Sequence, residues 1–259
     1  MFLILFPLII CHAHCSEKPA ISPLHFLKNL NGSRKGDLAE GLSHLKKYLA
    51  YLGYIPTIPT LKNNDLFDDT LELALKRYQK FYNLKVTGIL YMDTVKLLQK
   101  PRCGVPDFHP NANLTALFGH NHTNHIGFLY TYLGSVWPPE KRVLTFSYPS
   151  STRVDASLPI ALALGRWMTV THFTFKSRDD FATSDVKISF ERVDHGDGFP
   201  FDGRYGVLAH SFAPTDGRLH FDSDENWRWS ADQPGDFDLQ TVAMHEVGHI
   251  LGLGHSADP

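Results

Sequence analysis

The chain has 259 residues, 43% of them hydrophobic and 20% charged, with a formal net charge of −2. That is enough apolar material for one large domain or two modest ones with real cores. The near-neutral balance carries no basic stripe, which argues against nucleic acid as a partner.

Taken in chain order, Phe2 to Ile10 form a short apolar run followed by small and polar residues through Ser16. The run is too short to cross a bilayer and reads as a signal peptide over residues 1–15, with cleavage after Ala13 or Cys15. Cleavage after Cys15 leaves Cys103 alone in a secreted protein, whereas cleavage after Ala13 allows a Cys15–Cys103 disulfide. A metal-directed thiolate is the preferred reading of Cys103. The sequons at Asn31, Asn113 and Asn121 fit a secreted glycoprotein.

Leucines at 38, 42, 45, 49 and 52 predict a helix over 37–52. Asp69 with Glu72 predicts the capped start of a second, running to Phe81, and Asp93 opens a third to about Gln99. The predicted core of this three-helix unit is Leu42, Leu45, Leu71, Leu75, Tyr78 and Phe81. From Gly104 to Glu140 the chain is rich in Asn, His, Gly and Pro without periodicity, which reads as a linker. From Arg142 the pattern becomes mixed, with strands near 143–148, 173–176, 186–190, 207–212 and 219–221 and helices near 155–171 and 239–251. The fold class is therefore α+β, a small helical module followed by a mixed-sheet domain.

Between Asp194 and Glu225, His195, Asp197, His210 and His220 can form a closed four-ligand set. Such a set suits a structural Zn²⁺ that ties a long glycine-rich loop to the sheet. Asp202, Asp222 and Glu225 add hard oxygens that suit Ca²⁺, although a solvated acidic loop gives the same pattern.

The most informative run is His245-Glu246-Val247-Gly248-His249-Ile250-Leu251-Gly252-Leu253-Gly254-His255. On a helix, His245 and His249 stack on one face and can share a Zn²⁺. Glu246 sits beside them, placed to take a proton from water at the metal. Gly252 lets the backbone leave the helix and brings His255 back as a third ligand. Three protein ligands leave a position open, which marks a catalytic rather than a structural zinc. An amphipathic core helix would also bury Val242, Val247, Ile250 and Leu251, but it needs neither the third histidine nor the glycine.

On these motifs the chain resembles the matrixin family of metzincins, the matrix metalloproteinases, in its plant-type branch. The zinc run followed by Ser256 is similar to the matrixin form. Pro101-Arg102-Cys103-Gly104-Val105-Pro106-Asp107 is similar to the family's cysteine switch, and the helical module resembles its peptidoglycan-binding-like propeptide. The resemblance implies a propeptide over 28–107, a linker over 108–139 and a catalytic domain over 140–259. It implies His245, His249 and His255 as catalytic zinc ligands, Glu246 as general base, and His195, Asp197, His210 and His220 as structural zinc ligands. Cys103 takes the open position in the latent form, with Arg102 paired to Asp107. Calcium is implied at Asp202, Asp222 and Glu225 with the carbonyls of Gly203, Tyr205 and Val207. A second calcium site would use Asp185, but the loop between His210 and His220 is short and lacks the matching Asp.

The implied activity is a secreted zinc endopeptidase of the extracellular matrix or cell wall, acting on proteins or peptides after an activating protease removes the propeptide. The substrate is expected antiparallel to the strand Val207 to His210. The chain ends at Pro259, before the family's methionine turn, and reads as a fragment or a truncation; a membrane anchor is not visible. The competing class is a non-catalytic protein that binds metals, or cell-wall glycan through its helical module.

Overall fold

A computed structural model of the chain describes residues 22–55, 64–108 and 131–256. The expected signal peptide, Cys11, Cys15, most of the linker and the sequons at Asn113 and Asn121 lie outside those residues.

The first unit packs a 3-10 segment, His25–Leu30, with three helices, α1 (Leu42–Tyr51), α2 (Asp69–Phe81) and α3 (Met92–Leu98). Helix α1 starts five residues later than the leucine spacing predicts, because Gly41 precedes it with φ of 100° and breaks the helical path. Leu38 is left exposed in an isolated bridge to Leu66. Helix α2 is capped by Asp68, whose side chain accepts from the Leu71 amide at 3.0 Å, and not by the predicted Asp69–Glu72 box; Glu72 instead pairs with Lys76 at 2.8 Å. All six predicted core residues are buried, joined by Leu27 and Leu30 from the 3-10 segment and by Tyr54, Phe67 and Leu90 from the connecting segments.

The second unit is built on a six-stranded sheet. Its strands are β1 (Arg102–Cys103), β3 (Val143–Ser147), β4 (Thr174–Ser177), β5 (Val186–Glu191), β6 (Val207–Ser211) and β7 (Arg218–Asp222), in the order β1-β6-β7-β5-β3-β4. Strands β3, β4, β5 and β7 are parallel, whereas β6 runs antiparallel to β7. Two short ladders complete it: β2 (Thr131–Tyr132) with β10 (Leu253–Gly254), and β8 (Asn226–Arg228) with β9 (Asp236–Asp238).

Helices α4 (Ser157–Met168) and α5 (Leu239–Ile250) share one core with the sheet, including Leu144, Ile160, Leu164, Ile188, Leu208, Leu219, Phe221 and Val247. Two indoles fasten α5: Trp167 donates to the Met244 carbonyl and Trp137 to that of Ile250, each at 2.8 Å. The second of these satisfies a carbonyl in the last turn, which has no intrahelical partner. Among the described residues no helix is long and apolar enough to cross a membrane.

Candidate active site

Helix α5 is capped by Asp238, which accepts from the Thr241 amide at 2.6 Å, and it carries His245, Glu246 and His249 into full burial. Gly252 follows at φ of 98°, and β10 then returns the chain so that His255 faces the two helical histidines. The Nε2 atoms of His245 and His255 lie 3.1 Å apart, as do those of His249 and His245. That is close to the spacing of about 3.3 Å expected for nitrogens about 2.05 Å from a tetrahedral ion.

Two tautomers follow from the hydrogen bonds. Nδ1 of His249 faces the Leu253 carbonyl at 2.7 Å and Nδ1 of His255 faces the Asp107 carboxylate at 2.9 Å. Both partners can only accept, so each Nδ1 carries the proton and each Nε2 turns its lone pair inward. Burial lowers the pKa of His249 and of His255, which keeps both rings neutral. Neutral lone pairs aimed at one point repel unless a cation sits among them, so these residues fit a metal ion.

Cys103 completes the group: its Sγ lies 3.4 Å from His249 Nε2, and the four ligand atoms lie within 4.8 Å of one another. Burial and the neighbouring Glu246 push the thiol pKa up, so the pocket alone disfavours a thiolate; a dication among the imidazoles reverses that balance.

Strand β1 delivers Cys103 by pairing in parallel with β6, through Arg102 N to the Gly206 carbonyl at 3.1 Å and Gly104 N to the Ala209 carbonyl at 2.8 Å. Tyr51 of α1 donates to the Gly104 carbonyl at 2.5 Å. Arg102 donates to Asp107 at 2.6 and 3.2 Å, and Tyr54 and Tyr82 donate to the same carboxylate at 2.8 and 3.1 Å. Burial raises the Asp107 pKa, but Arg102 and His255 together override it and hold the carboxyl well below its usual range.

Glu246 is fully buried. Its Oε2 accepts from the Ser211 hydroxyl at 2.8 Å, and Oε1 has no hydrogen bond of ordinary length. Burial raises its pKa to about 7, against the lowering effect of Cys103, Ser211 and Arg102. Such a carboxyl exchanges protons near neutrality, as a general base requires.

The second group sits on β6, β7 and the loop before them. His210 and His220 are directly opposed in the antiparallel register, and the loop lowers His195 and Asp197 onto them. Asp197 Oδ2 lies 2.8 Å from His195 Nε2, 2.7 Å from His210 Nε2 and 2.9 Å from His220 Nδ1. His195 Nδ1 faces the Val193 carbonyl at 3.0 Å, so its Nε2 is free to ligate. Burial lowers the pKa of His210 to about 4. One carboxylate and three imidazoles again suit a metal, here with four protein ligands.

The acidic residues are arranged differently. Among the described residues only the two histidine-containing groups draw their ligand atoms within 4.8 Å of one another. Asp202 is exposed and accepts from the Val207 amide at 2.8 Å, and Glu225 accepts from the Tyr205 amide at 2.5 Å. Asp222 Oδ2 and Glu225 Oε2 are buried without partners. Burial raises the pKa of Asp222 to about 6 and that of Glu225 to about 8. Asp185 has both oxygens engaged, by Lys141 at 2.6 Å and by the amide and hydroxyl of Thr145 at 2.8 Å each. Asp185 thus has a cationic partner in Lys141.

Sequence reasoning missed Ser211 and the contact of Asp107 with His255. A polar residue in a strand buried at every position is the signal that could have found Ser211.

Comparison with known proteins places the chain in a family. Residues 137–259 match the family profile described as Matrixin, and residues 39–98 match one described as "Putative peptidoglycan binding domain". The chain is 44% identical to Metalloendoproteinase 1 of Glycine max over 86% of its own length and 73% of that protein's. It is 39% identical to Metalloendoproteinase 2-MMP of Arabidopsis thaliana over 88% of its own length and 65% of that protein's. With human Matrix metalloproteinase-20 it shares 38% identity over 71% of this chain and 35% of the relative. The chain belongs to the matrixin family of metalloendopeptidases. It spans 58% to 73% of the length of these plant metalloendoproteinases.

Proposed function

We propose that the protein is a secreted, latent zinc endopeptidase, with a prosegment over 28–107, a linker over 108–139 and a catalytic domain over 140–259 that acts on extracellular proteins or peptides. The observation that carries this is the convergence of His245, His249, His255 and Cys103 beside the buried carboxyl of Glu246. In this reading the three histidines hold a catalytic Zn²⁺, and His195, Asp197, His210 and His220 hold a structural one. When bound, the catalytic ion supplies Lewis-acid polarisation of a carbonyl and acidifies water in the site.

The chain's own residues do the rest. Glu246 is the general base: it accepts a proton from the attacking water and passes it to the leaving nitrogen, while Ser211 fixes one carboxylate oxygen. Strand β6 orders the substrate as an added strand once β1 has left. The substrate is antiparallel to β6, the reverse of the parallel switch peptide, so the prosegment occupies the groove without presenting a peptide bond in the productive direction. Cys103 keeps water from the metal until an activating protease or thiol modification releases it.

Calcium is part of the proposal at Asp202, Asp222 and Glu225 with the carbonyls of Gly203, Tyr205 and Val207. The two orphaned, buried carboxylate oxygens support it.

The test is cleavage of a quenched-fluorescent peptide library after mercurial or proteolytic activation, with zinc counted by mass spectrometry. Chelator-sensitive cleavage that Glu246→Ala abolishes is the expected result. Two bound zinc ions with no cleavage under any activation would overturn the enzymatic reading and favour a metal- or glycan-binding role.

A further inference from the structure

We propose that Asp107, carried by the prosegment, is a positioning residue for the third zinc ligand, so that the latent chain holds its metal more tightly than the same chain with its switch peptide displaced. The inference rests on the zinc reading above. Asp107 Oδ1 lies 2.9 Å from Nδ1 of His255, and the two side chains are 0% and 1% exposed. A carboxylate on the far nitrogen of a ligand imidazole fixes the tautomer, sets the ring plane and makes the ligating nitrogen more basic.

The origin of the partner separates His255 from His249. Nδ1 of His249 is held by the Leu253 carbonyl, two residues before His255, and keeps that bond whatever happens to the prosegment. His255 follows β10, and its carbonyl accepts from Thr131 at 2.6 Å, which places the backbone but not the ring. The ring is oriented by a residue 148 positions earlier in the chain.

Asp107 is itself fixed from the prosegment side. Its amide donates to the Leu52 carbonyl at 3.0 Å, Tyr54 and Tyr82 donate to Oδ2, and Arg102 spans both oxygens. Arg102 balances the buried charge, which leaves Asp107 an acceptor only and His255 a neutral donor. The prosegment thus acts on the metal twice, by offering sulfur to the open position and by orienting a ligand that stays behind after activation. Displacing it removes both.

The experiment uses the full chain with Co²⁺ in place of zinc, because sulfur-to-cobalt charge-transfer absorption reports only the site that contains Cys103. Competition with a chelator then gives the relative affinity. Asp107→Asn should weaken Co²⁺ binding about 10- to 100-fold. Tyr51→Phe loosens the switch at the Gly104 carbonyl but leaves Asp107, its Arg102 counter-ion and the contact with His255 in place, and should change affinity by clearly less. Equal losses in the two variants, or no loss in Asp107→Asn, overturn the inference. A wild-type chain without the charge-transfer band defeats the zinc reading itself, and the inference with it. Should Asp107→Asn not fold, the zinc-loaded wild-type chain decides by nitrogen-15 NMR. A slowly exchanging Nδ1 proton on His255, lost when the prosegment is cleaved, supports the proposal, and its absence from the latent chain refutes it.

Discussion

Replacing Ser211 with Ala removes one hydroxyl from strand β6 and leaves the β6 backbone pairing in place. In the structure that hydroxyl donates to Glu246 Oε2 at 2.8 Å, with the Glu246 carbonyl 3.0 Å away. A hydrogen bond to a charged group contributes about 1.5–3 kcal/mol. The protonated acid keeps part of that interaction, so the difference between the two protonation states is about 1.4 kcal/mol, or roughly one pKa unit. The direction is fixed: Ser211 lowers the Glu246 pKa, which burial has raised to about 7, so its loss raises that pKa further. A general base must be ionised, and the acid limb of kcat/KM against pH should therefore move up by about one unit. At a pH one unit below the wild-type midpoint the variant should lose about tenfold in rate, with little loss on the alkaline plateau. The assay is hydrolysis of a quenched peptide by the activated protein between pH 5 and about 9. An unmoved midpoint, or a loss equal at every pH, would refute the assignment of Ser211 to the base.

Three further outcomes are expected. Asp222 and Glu225, with folded pKa values raised to about 6 and about 8, bind protons more tightly folded than unfolded. Without calcium, stability should fall as pH rises from the ordinary carboxylate range towards 8, and added Ca²⁺ should raise Tm more at pH 8 than at pH 5. A calcium effect independent of pH speaks against these two as ligands. Tyr51→Phe deletes the hydrogen bond to the Gly104 carbonyl, about 1 kcal/mol, and should speed modification of Cys103 by a thiol reagent about fivefold. Lys46 is fully buried with its ammonium 2.7 Å from Asp68 and 3.0 Å from Asn64 Oδ1. Lys46→Met should cost the helical unit about 2–3 kcal/mol in denaturant unfolding, below the full value for a buried pair because Asp68 keeps some water and still caps α2.

The elements that were legible in the sequence are those whose information is local. Helix α2 runs over the predicted Asp69–Phe81, and β5 to β7 fall within about a residue of expectation, because each carries its own periodicity and its own stop signal. The ligand histidines were legible for the same reason, His245, His249 and His255 sharing one helix face and its exit turn and His210 and His220 standing opposed across one hairpin. What was not legible depends on a partner far along the chain. Strand β1 has two residues and no pattern, and exists only because β6 offers an open edge at Val207, far along the chain from Arg102. The pair β8 and β9 encloses a polar loop where no alternation could announce a strand. Ser211 and Asp107 were visible as residues but not as contacts, since what each touches is decided by packing across 35 and 148 positions.

Strand β6 joins these contacts into one device. Successive residues of a strand point to opposite faces. His210 therefore turns towards Asp197 and His220, while Ser211, next in line, turns towards Glu246. The strand's free edge receives β1 through the carbonyls of Gly206 and Ala209. A shift of one residue in the β6–β7 register would move His210 off its opposed His220 and carry Ser211 away from the base. A metal held by His210 and His220 would pin that register from the face opposite helix α5. A metal bound by the second group would therefore support the geometry around Glu246 through one peptide bond, although none of that group's residues belongs to the cluster of His245, His249, His255 and Cys103.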